Sequence, residues 1–131
     1  MAPGLKNFIV TAYENHAPQA TNSESQIPNS TCDNGSCSEI TAALWENTLT
    51  YGFGYRCDNI HENNCAYDFF QNQYYKQFSD ESKQKTPQII MSGYESNTNQ
   101  EIQMTYKLNI SKNQSKGSYS NSITFIASPG Y

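Results

Sequence analysis

The clearest structural signal in this chain of 131 residues is the stretch Ile102–Ile110, which has the sequence IQMTYKLNI. Apolar side chains occupy every second position, and Gln, Thr, Lys and Asn occupy the positions between them. Such alternation is typical of a β-strand with one buried face, because successive side chains of a strand point to opposite sides of its sheet. We therefore expect a single buried row made of Ile102, Met104, Tyr106, Leu108 and Ile110.

A second alternating stretch follows a polar connection at residues 111–117. Between residues 119 and 127, Tyr119, Asn121, Ile123, Phe125 and Ala127 alternate with Ser120, Ser122, Thr124 and Ile126. Two alternating stretches joined by a polar loop that contains glycine predict a β-hairpin. Ile123 and Phe125 should then lie on the same buried face as the first stretch.

Three further strands are expected upstream. Asn7–Tyr13 is rich in β-branched and aromatic residues, and the apolar segment Gln88–Ser92 follows a proline. In the third strand, large side chains should face the core and alternate with threonine and glycine; the large ones are Leu49, Tyr51, Phe53 and Tyr55. The glycines leave room for the close approach of a partner strand, a bulge or an aromatic ring.

The remaining segments are more polar or less regular. Residues 14–36 form a long polar loop, and Ser38–Trp45 combines an N-cap serine with helix formers over a length that allows only a small helix or a 3₁₀ turn. We expect one domain spanning residues 1–131. Its predicted fold class is all-β: an antiparallel β-sandwich of the Ig-like or Greek-key type, with long polar loops and one short helix.

Four cysteines fall into two local pairs, Cys32 with Cys37 and Cys57 with Cys65. Turn-forming residues separate the members of each pair, which favours neighbour pairing among the three connectivities that four cysteines allow. A zinc site would need tighter spacing and nearby histidines. We expect two disulfides, each worth roughly 2–3 kcal/mol, and hence an oxidising, extracellular compartment. The alternative is four free thiols in a cytosolic protein.

The composition excludes two classes of partner. Charged residues make up 15% of the chain, the net charge is −4, and the eight basic residues are scattered singly. Nucleic-acid binding requires clustered Lys and Arg to neutralise phosphates, so we expect no nucleic-acid partner. No apolar run approaches about 18 residues, so no membrane insertion is expected.

Metal ligands are sparse in the sequence. His16 and His61 each lie in a polar segment without a second ligand at metal spacing, which favours surface histidines. Oxygen ligands for calcium could come from Asp33-Asn34-Gly35, or from Asp58-Asn59 with Glu62, but neither segment matches an EF-hand loop, and Asn-Gly is a turn former in any case. We expect no metal and no cofactor.

Catalytic motifs are also missing from the sequence. It contains no G-x-S-x-G elbow, no cysteine without a nearby pairing partner and no glycine-rich phosphate loop. Two carboxylates could meet in space as they do in glycosidases, but a domain of this size rarely builds the long substrate cleft. The chain is therefore not expected to be an enzyme.

One aromatic cluster is the best candidate binding surface. Its members are Tyr67, Phe69, Phe70, Tyr74, Tyr75 and Phe78. Exposed rings stack on sugars or anchor protein interfaces. The competing interpretation, which base rates favour, is that these rings cap one end of the core.

Several motifs resemble a known family. The carrying residues are Phe8–Ala12, Trp45, Leu49, the YGFGY of residues 51–55, the YKLNIS of residues 106–111, Gln114, Gly117, Tyr119, Asn121 and the ITFIASP of residues 123–129. They are similar to strands of a family of surface-protein β-sandwich domains common in the secretomes of Patescibacteria, over roughly residues 5–129. The resemblance implies a surface role and brings no catalytic residues with it.

The chain departs from that family at its start, where only six residues precede the first strand instead of at least one further strand. We expect either a segment of a longer protein or a sandwich that lacks a strand. In the second case an open edge lies beside Asn7–Tyr13 or the YGFGY strand, and a terminal segment of a neighbour, Met1–Lys6 or Ser128–Tyr131, pairs onto it.

Two functions from different classes follow. The first is an extracellular structural or adhesive module of a microbial cell-surface protein or filament, with pilus-like assembly by strand complementation and neighbouring domains or identical subunits as partners. The second is a module that binds a glycan or a host-cell surface protein.

Overall fold

A computed structural model describes residues 7–69, 71–94 and 99–129 of the chain. The described part is all-β, as the sequence predicts. Its strands are β1 Asn7–Glu14, β2 Gln19–Ala20, β3 Ala43–Leu44, β4 Gly52–Asn59, β5 Tyr74–Tyr75, β6 Ser79–Asp80, β7 Gln88–Tyr94, β8 Ile102–Asn109, β9 Tyr119–Ser120 and β10 Ile123–Pro129. Short 3₁₀ helices at Asp33–Gly35, Tyr67–Phe69 and Glu81–Lys83 are the helical elements of these residues.

The largest sheet is built around β1. β10 pairs antiparallel along one side of β1, while β7 pairs antiparallel and β6 parallel along the other side. The outer side of β7 is also occupied, because Cys65 forms a bridge with Met91 and the N–H of Ser92 donates to the carbonyl of Asn64. The β-branched and aromatic residues of β1 therefore form a central strand, which is the position that such residues suit best.

The second large pairing joins β4 to β8 antiparallel, from Gly52 opposite Asn109 to Asn59 opposite Ile102. The other side of β4 is covered by two segments: Tyr55 exchanges backbone hydrogen bonds with Lys76, and Phe53 does so with residues 28–30. Gly54 permits this approach, since a Cβ there would lie 2.8 Å from the Lys76 carbonyl oxygen. The expectation that the glycines admit a neighbouring strand or ring is thus confirmed.

One apolar core joins these two sheets. Residues of β1, β4 and β7 share a buried cluster whose members include Ala12, Phe53, Tyr55, Phe78 and Ile90. The Tyr55 and Phe78 rings stack at 4.1 Å between centroids. A second, smaller cluster contains Trp45, Tyr75 and the disulfide Cys32–Cys37. The two remaining pairings, β2 with β9 and β3 with β5, are short.

The predicted hairpin of residues 102–110 and 119–127 is wrong. β8 pairs with β4, and β10 pairs with β1, so the two alternating stretches belong to different sheets. The predicted burial is wrong for the same reason, because within the described residues each stretch has a neighbouring strand on one side only. Exposure is 50% for Tyr106, 53% for Leu108 and 46% for Phe125, and Ile110 is also exposed. Ile102, Met104 and Ile123 do pack against the core as partly buried residues.

Two further local predictions are wrong. Ser38–Trp45 forms no helix: the Ser38 hydroxyl accepts from the N–H groups of Ile40 and Thr41 in a turn, and the chain then enters β3. Pairing with β5 outweighs the helix propensity of this short segment. Leu49 and Tyr51 are exposed, since β4 begins only at Gly52; Phe53 and Tyr55 are buried as predicted. The segment 14–36 contains β2 and the first 3₁₀ helix.

Candidate functional site

Most of the aromatic cluster lies inside the protein. Phe69, Tyr75 and Phe78 are buried, and Tyr74 is half-buried, whereas Tyr67 is 95% exposed. Phe70 lies outside the described residues. The buried rings pack against other rings within the two cores, Phe69 and Phe78 against Tyr55 and Tyr75 against Trp45, and so cannot offer their faces to a ligand. This arrangement favours the interpretation that the cluster closes one end of the core, with Tyr67 as its one strongly exposed ring among the described members.

The two disulfides join Cys32 to Cys37 and Cys57 to Cys65, which are the neighbour pairings that their spacing predicts. The Cys32–Cys37 disulfide packs within the smaller core cluster beside Trp45. The Cys57–Cys65 disulfide links β4 to the segment that lies beside β7. The described residues contain no free cysteine. Disulfides of this kind indicate a non-reducing environment.

The outer edge of β8 is an unpaired strand edge within the described part of the chain. Because Phe53 and Tyr55 direct their backbone N–H and C=O groups away from β8, each sits in a non-hydrogen-bonded pair with its β8 neighbour. Alternation along β8 then directs the backbone groups of Tyr106 and Leu108 outward, away from β4. Their side chains lie on the same side of the sheet as buried Phe53 and Tyr55.

The outer edge of β10 has the same character. Just beyond the paired strands, the N–H of Asn15 donates to the carbonyl of Ser122, the residue before β10. Counting on from Ser122, every second residue of β10 points its backbone groups toward β1, and the residues between them point theirs outward. The outward set includes Phe125 and Ala127. Phe125 lies opposite Ala12, a core residue, so its side chain is on the core side of its sheet.

These two edges share three properties. Each directs its outward N–H and C=O groups from residues whose side chains are on the core side, each exposes large apolar side chains, and neither has a backbone partner on its outer side among the described residues. Exposed edges of this kind are templates for pairing with another strand, and soluble proteins usually protect them. The sequence revealed the alternation that makes these strands but not that their outer sides stay open.

Glu14 is a buried acid that sequence reasoning missed. Its side chain is fully buried at the end of β1, where Oε1 accepts from the Asn121 amide at 3.3 Å and Oε2 has no partner. Burial raises the pKa of Glu14 to about 8, and the negative charge of Asp80 adds to this shift. The Oδ1 atom of Asn29 is also buried without a partner. Side-chain hydrogen bonds with Asn29 and Asn121 favour the ionised carboxylate and so lower the pKa of Glu14, but burial outweighs them.

Two lysines are held against aromatic rings. Lys76 is buried, with Nζ 3.5 Å from the Asp68 carboxylate and 5.1 Å from the centroid of Phe69. Lys107 donates to the Trp45 carbonyl oxygen at 2.7 Å and lies 4.6 Å from the ring centroid of the same tryptophan. Desolvation lowers the pKa of both lysines. Trp45 lies 62 residues before Lys107, so Lys107 links β8 to a distant part of the chain, whereas Asp68 and Phe69 lie only eight and seven residues before Lys76.

One cleft of about 460 Å³ has a mixed polar lining that includes Asn29, Glu39, Asp80, Lys83 and Lys85. Its charges are partly paired, since Lys85 lies 3.4 Å from Glu39. No group of three or more His, Cys, Asp or Glu side chains is placed to hold a metal ion in the part of the chain that the structure describes. Within residues 7–69, 71–94 and 99–129, no helix is long and apolar enough to cross a bilayer.

Comparison with known proteins found no match: no protein-family model fits the sequence, and no curated protein or solved structure is significantly similar to it.

Proposed function

We propose that this chain is an extracellular structural or adhesive module of a microbial cell-surface protein or filament, and that it assembles by adding a strand to an open sheet edge. The observation that carries the proposal is the outer edge of β8, where unpaired backbone groups coincide with half-exposed Tyr106 and Leu108. Backbone hydrogen bonds to an added strand supply affinity, and burial of the side chains adds to it.

The architecture supports a β-sandwich as part of this proposal. The sheet around β1 and the β4–β8 pair contribute to one core cluster, as the two layers of a sandwich do. The two disulfides suit a small domain that works outside the cell. The resemblance to Patescibacteria surface domains agrees with this assignment and is part of the proposal.

The open edges differ from those that the sequence suggested. β1 has strands on both sides, and β4 has β8 on one side and residues 28–30 and 76 on the other. Ser128 and Pro129 pair with β1 of their own chain, so they are not free to complement a neighbour. Met1–Lys6 and the last two residues lie outside the described residues. The acceptor edges are therefore β8 and β10.

The proposal is tested by measuring self-association of the oxidised chain. Analytical ultracentrifugation and light scattering should show a mass that rises with protein concentration above the monomer value of 14.8 kDa. Negative-stain microscopy should show the assembled form. A single monomeric species at every accessible concentration would refute self-assembly.

A second candidate function is binding of a glycan or a host-cell surface protein through Tyr67, whose ring is almost wholly exposed. An exposed ring can stack on the apolar face of a sugar. A glycan array probed with the wild-type chain should then give a saturable signal that Tyr67→Ala removes. Tyr51→Ala, which removes another exposed tyrosine outside the cluster, is the matched control; equal loss with both variants would contradict a specific role for Tyr67.

A further inference from the structure

The two open edges belong to the same chain and are similar in length, with eight residues in β8 and seven in β10. Both expose apolar side chains on the core side of their sheets, Tyr106 and Leu108 on β8 and Phe125 on β10. Either edge, if left exposed, can pair with a strand of another chain and so promote aggregation. A partner that covers only one of them leaves the other open.

Resting on the proposed self-assembly, we propose that the occupant of the β8 edge is the β10 edge of a second copy of this chain. Head-to-tail pairing of β8 with the next copy's β10 satisfies both edges using only surfaces that the chain already carries. It joins the β4–β8 pair of one copy to the β1-centred sheet of the next as one continuous sheet. Such a contact is heterologous, and repeated without closure it builds an open filament.

The charges of the two strands permit this contact. β10 contains no charged residue, and the one charge of β8 is that of Lys107. Lys107 does not block the edge, because its Nζ is bound to the Trp45 carbonyl oxygen and lies over the ring of the same tryptophan. Charged side chains, lysine above all, are a common device for keeping strand edges apart. β10 has no such charge, and the ammonium group of Lys107 on β8 is bound to Trp45 instead.

The pairing can be specified at the level of residues. In both strands, the residues that point their N–H and C=O groups outward also have their side chains on the core side. When β8 and the neighbour's β10 pair antiparallel, these residues lie directly opposite one another as hydrogen-bonded pairs. Tyr106 and Leu108 then lie beside Phe125 and Ala127 of the neighbour. Apolar side chains that are half-exposed in the single chain become buried across the junction.

Two charge substitutions separate this pairing from every alternative. Leu108→Lys blocks the β8 edge and leaves β10 intact, whereas Phe125→Lys blocks β10 and leaves β8 intact; charges of the same sign keep the two blocked edges from attracting each other. Both side chains are about half-exposed, so the fold should tolerate the changes; circular dichroism and thermal melting confirm this for each variant. Leu49→Lys is the matched control, because Leu49 is 73% exposed and lies in no strand.

In sedimentation velocity, each blocked variant alone should remain monomeric, since every β10–β8 junction would include a charged edge. An equimolar mixture should form a 1:1 dimer and nothing larger, because only the intact β10 of the Leu108→Lys chain and the intact β8 of the Phe125→Lys chain can pair. Leu49→Lys should assemble like the wild-type chain.

Other results overturn the inference in recognisable ways. Dimers of Phe125→Lys alone would show that β8 pairs with β8, and dimers of Leu108→Lys alone would show that β10 pairs with β10. Wild-type assembly that both variants leave intact would place the contact elsewhere and leave the proposed function standing. A wild-type chain that stays monomeric would refute self-assembly itself.

Discussion

Glu14 should make the stability of this protein fall as the pH rises from mildly acidic to mildly basic values. The carboxyl group is fully buried, and its pKa is raised to about 8 from an ordinary value of 4.5, first by desolvation and then by the charge of Asp80. A raised pKa in the folded state means that the fold prefers the protonated acid. The stabilisation is therefore complete below the unfolded-state pKa and is lost as the pH passes from 4.5 toward 8.

The magnitude follows from the shift. Each pH unit in this window costs about 1.4 kcal/mol while the acid ionises in the unfolded chain but not in the folded one. The full shift from 4.5 to about 8 corresponds to roughly 5 kcal/mol, a large fraction of the stability of a typical domain. Glu14→Gln keeps the shape and a donor group but removes the ionisation. The variant should match the wild-type protein near pH 5 and exceed its stability near pH 8.

The assay is urea unfolding at a series of pH values, followed by the fluorescence of Trp45, the single tryptophan, which is fully buried. Disulfides are kept oxidised throughout. Glu24→Gln is the matched control, since Glu24 is exposed and its substitution should leave the pH profile unchanged. The reasoning is refuted if the wild-type profile and the Glu14→Gln profile run parallel between pH 5 and pH 8.

Three further predictions concern stability. Gly52→Ala should lower the free energy of unfolding by about 3 kcal/mol, because φ at Gly52 is +146° and a Cβ there would lie 2.7 Å from the Ser30 backbone. Gly117 has the same φ but open space around it, so Gly117→Ala should lower the free energy of unfolding distinctly less in chemical denaturation. Tyr55→Ala should cost roughly 3–5 kcal/mol and the half-exposed Tyr106→Ala about half as much, so equal losses in urea titrations would contradict the burial of Tyr55. Removing either disulfide by a double Cys→Ser substitution should lower the free energy of unfolding by roughly 2–3 kcal/mol, and peptide mapping without reductant should recover only the neighbour pairings.

Local sequence determined the elements whose stability depends on nearby residues. The all-β class, the strands β1 and β7 and the disulfide pairings followed from alternation, β-branched content and short cysteine spacing. Phe53 and Tyr55 were predicted to be buried and are buried. Each of these features rests on patterns within about ten residues, where side-chain periodicity and loop length restrict the chain strongly.

Only the tertiary structure decided which strands meet. β8 and β10 have the alternation of two hairpin strands, yet one pairs with β4 and the other with β1. Their periodicity shows which side chains share a face but not which strand lies beside them, or whether any strand does. The open edges, the burial of Glu14 and the aromatic contacts of Lys107 all arise from segments far apart in the chain. A single sequence carries no local signal for such contacts, because they depend on how the two sheets are placed together.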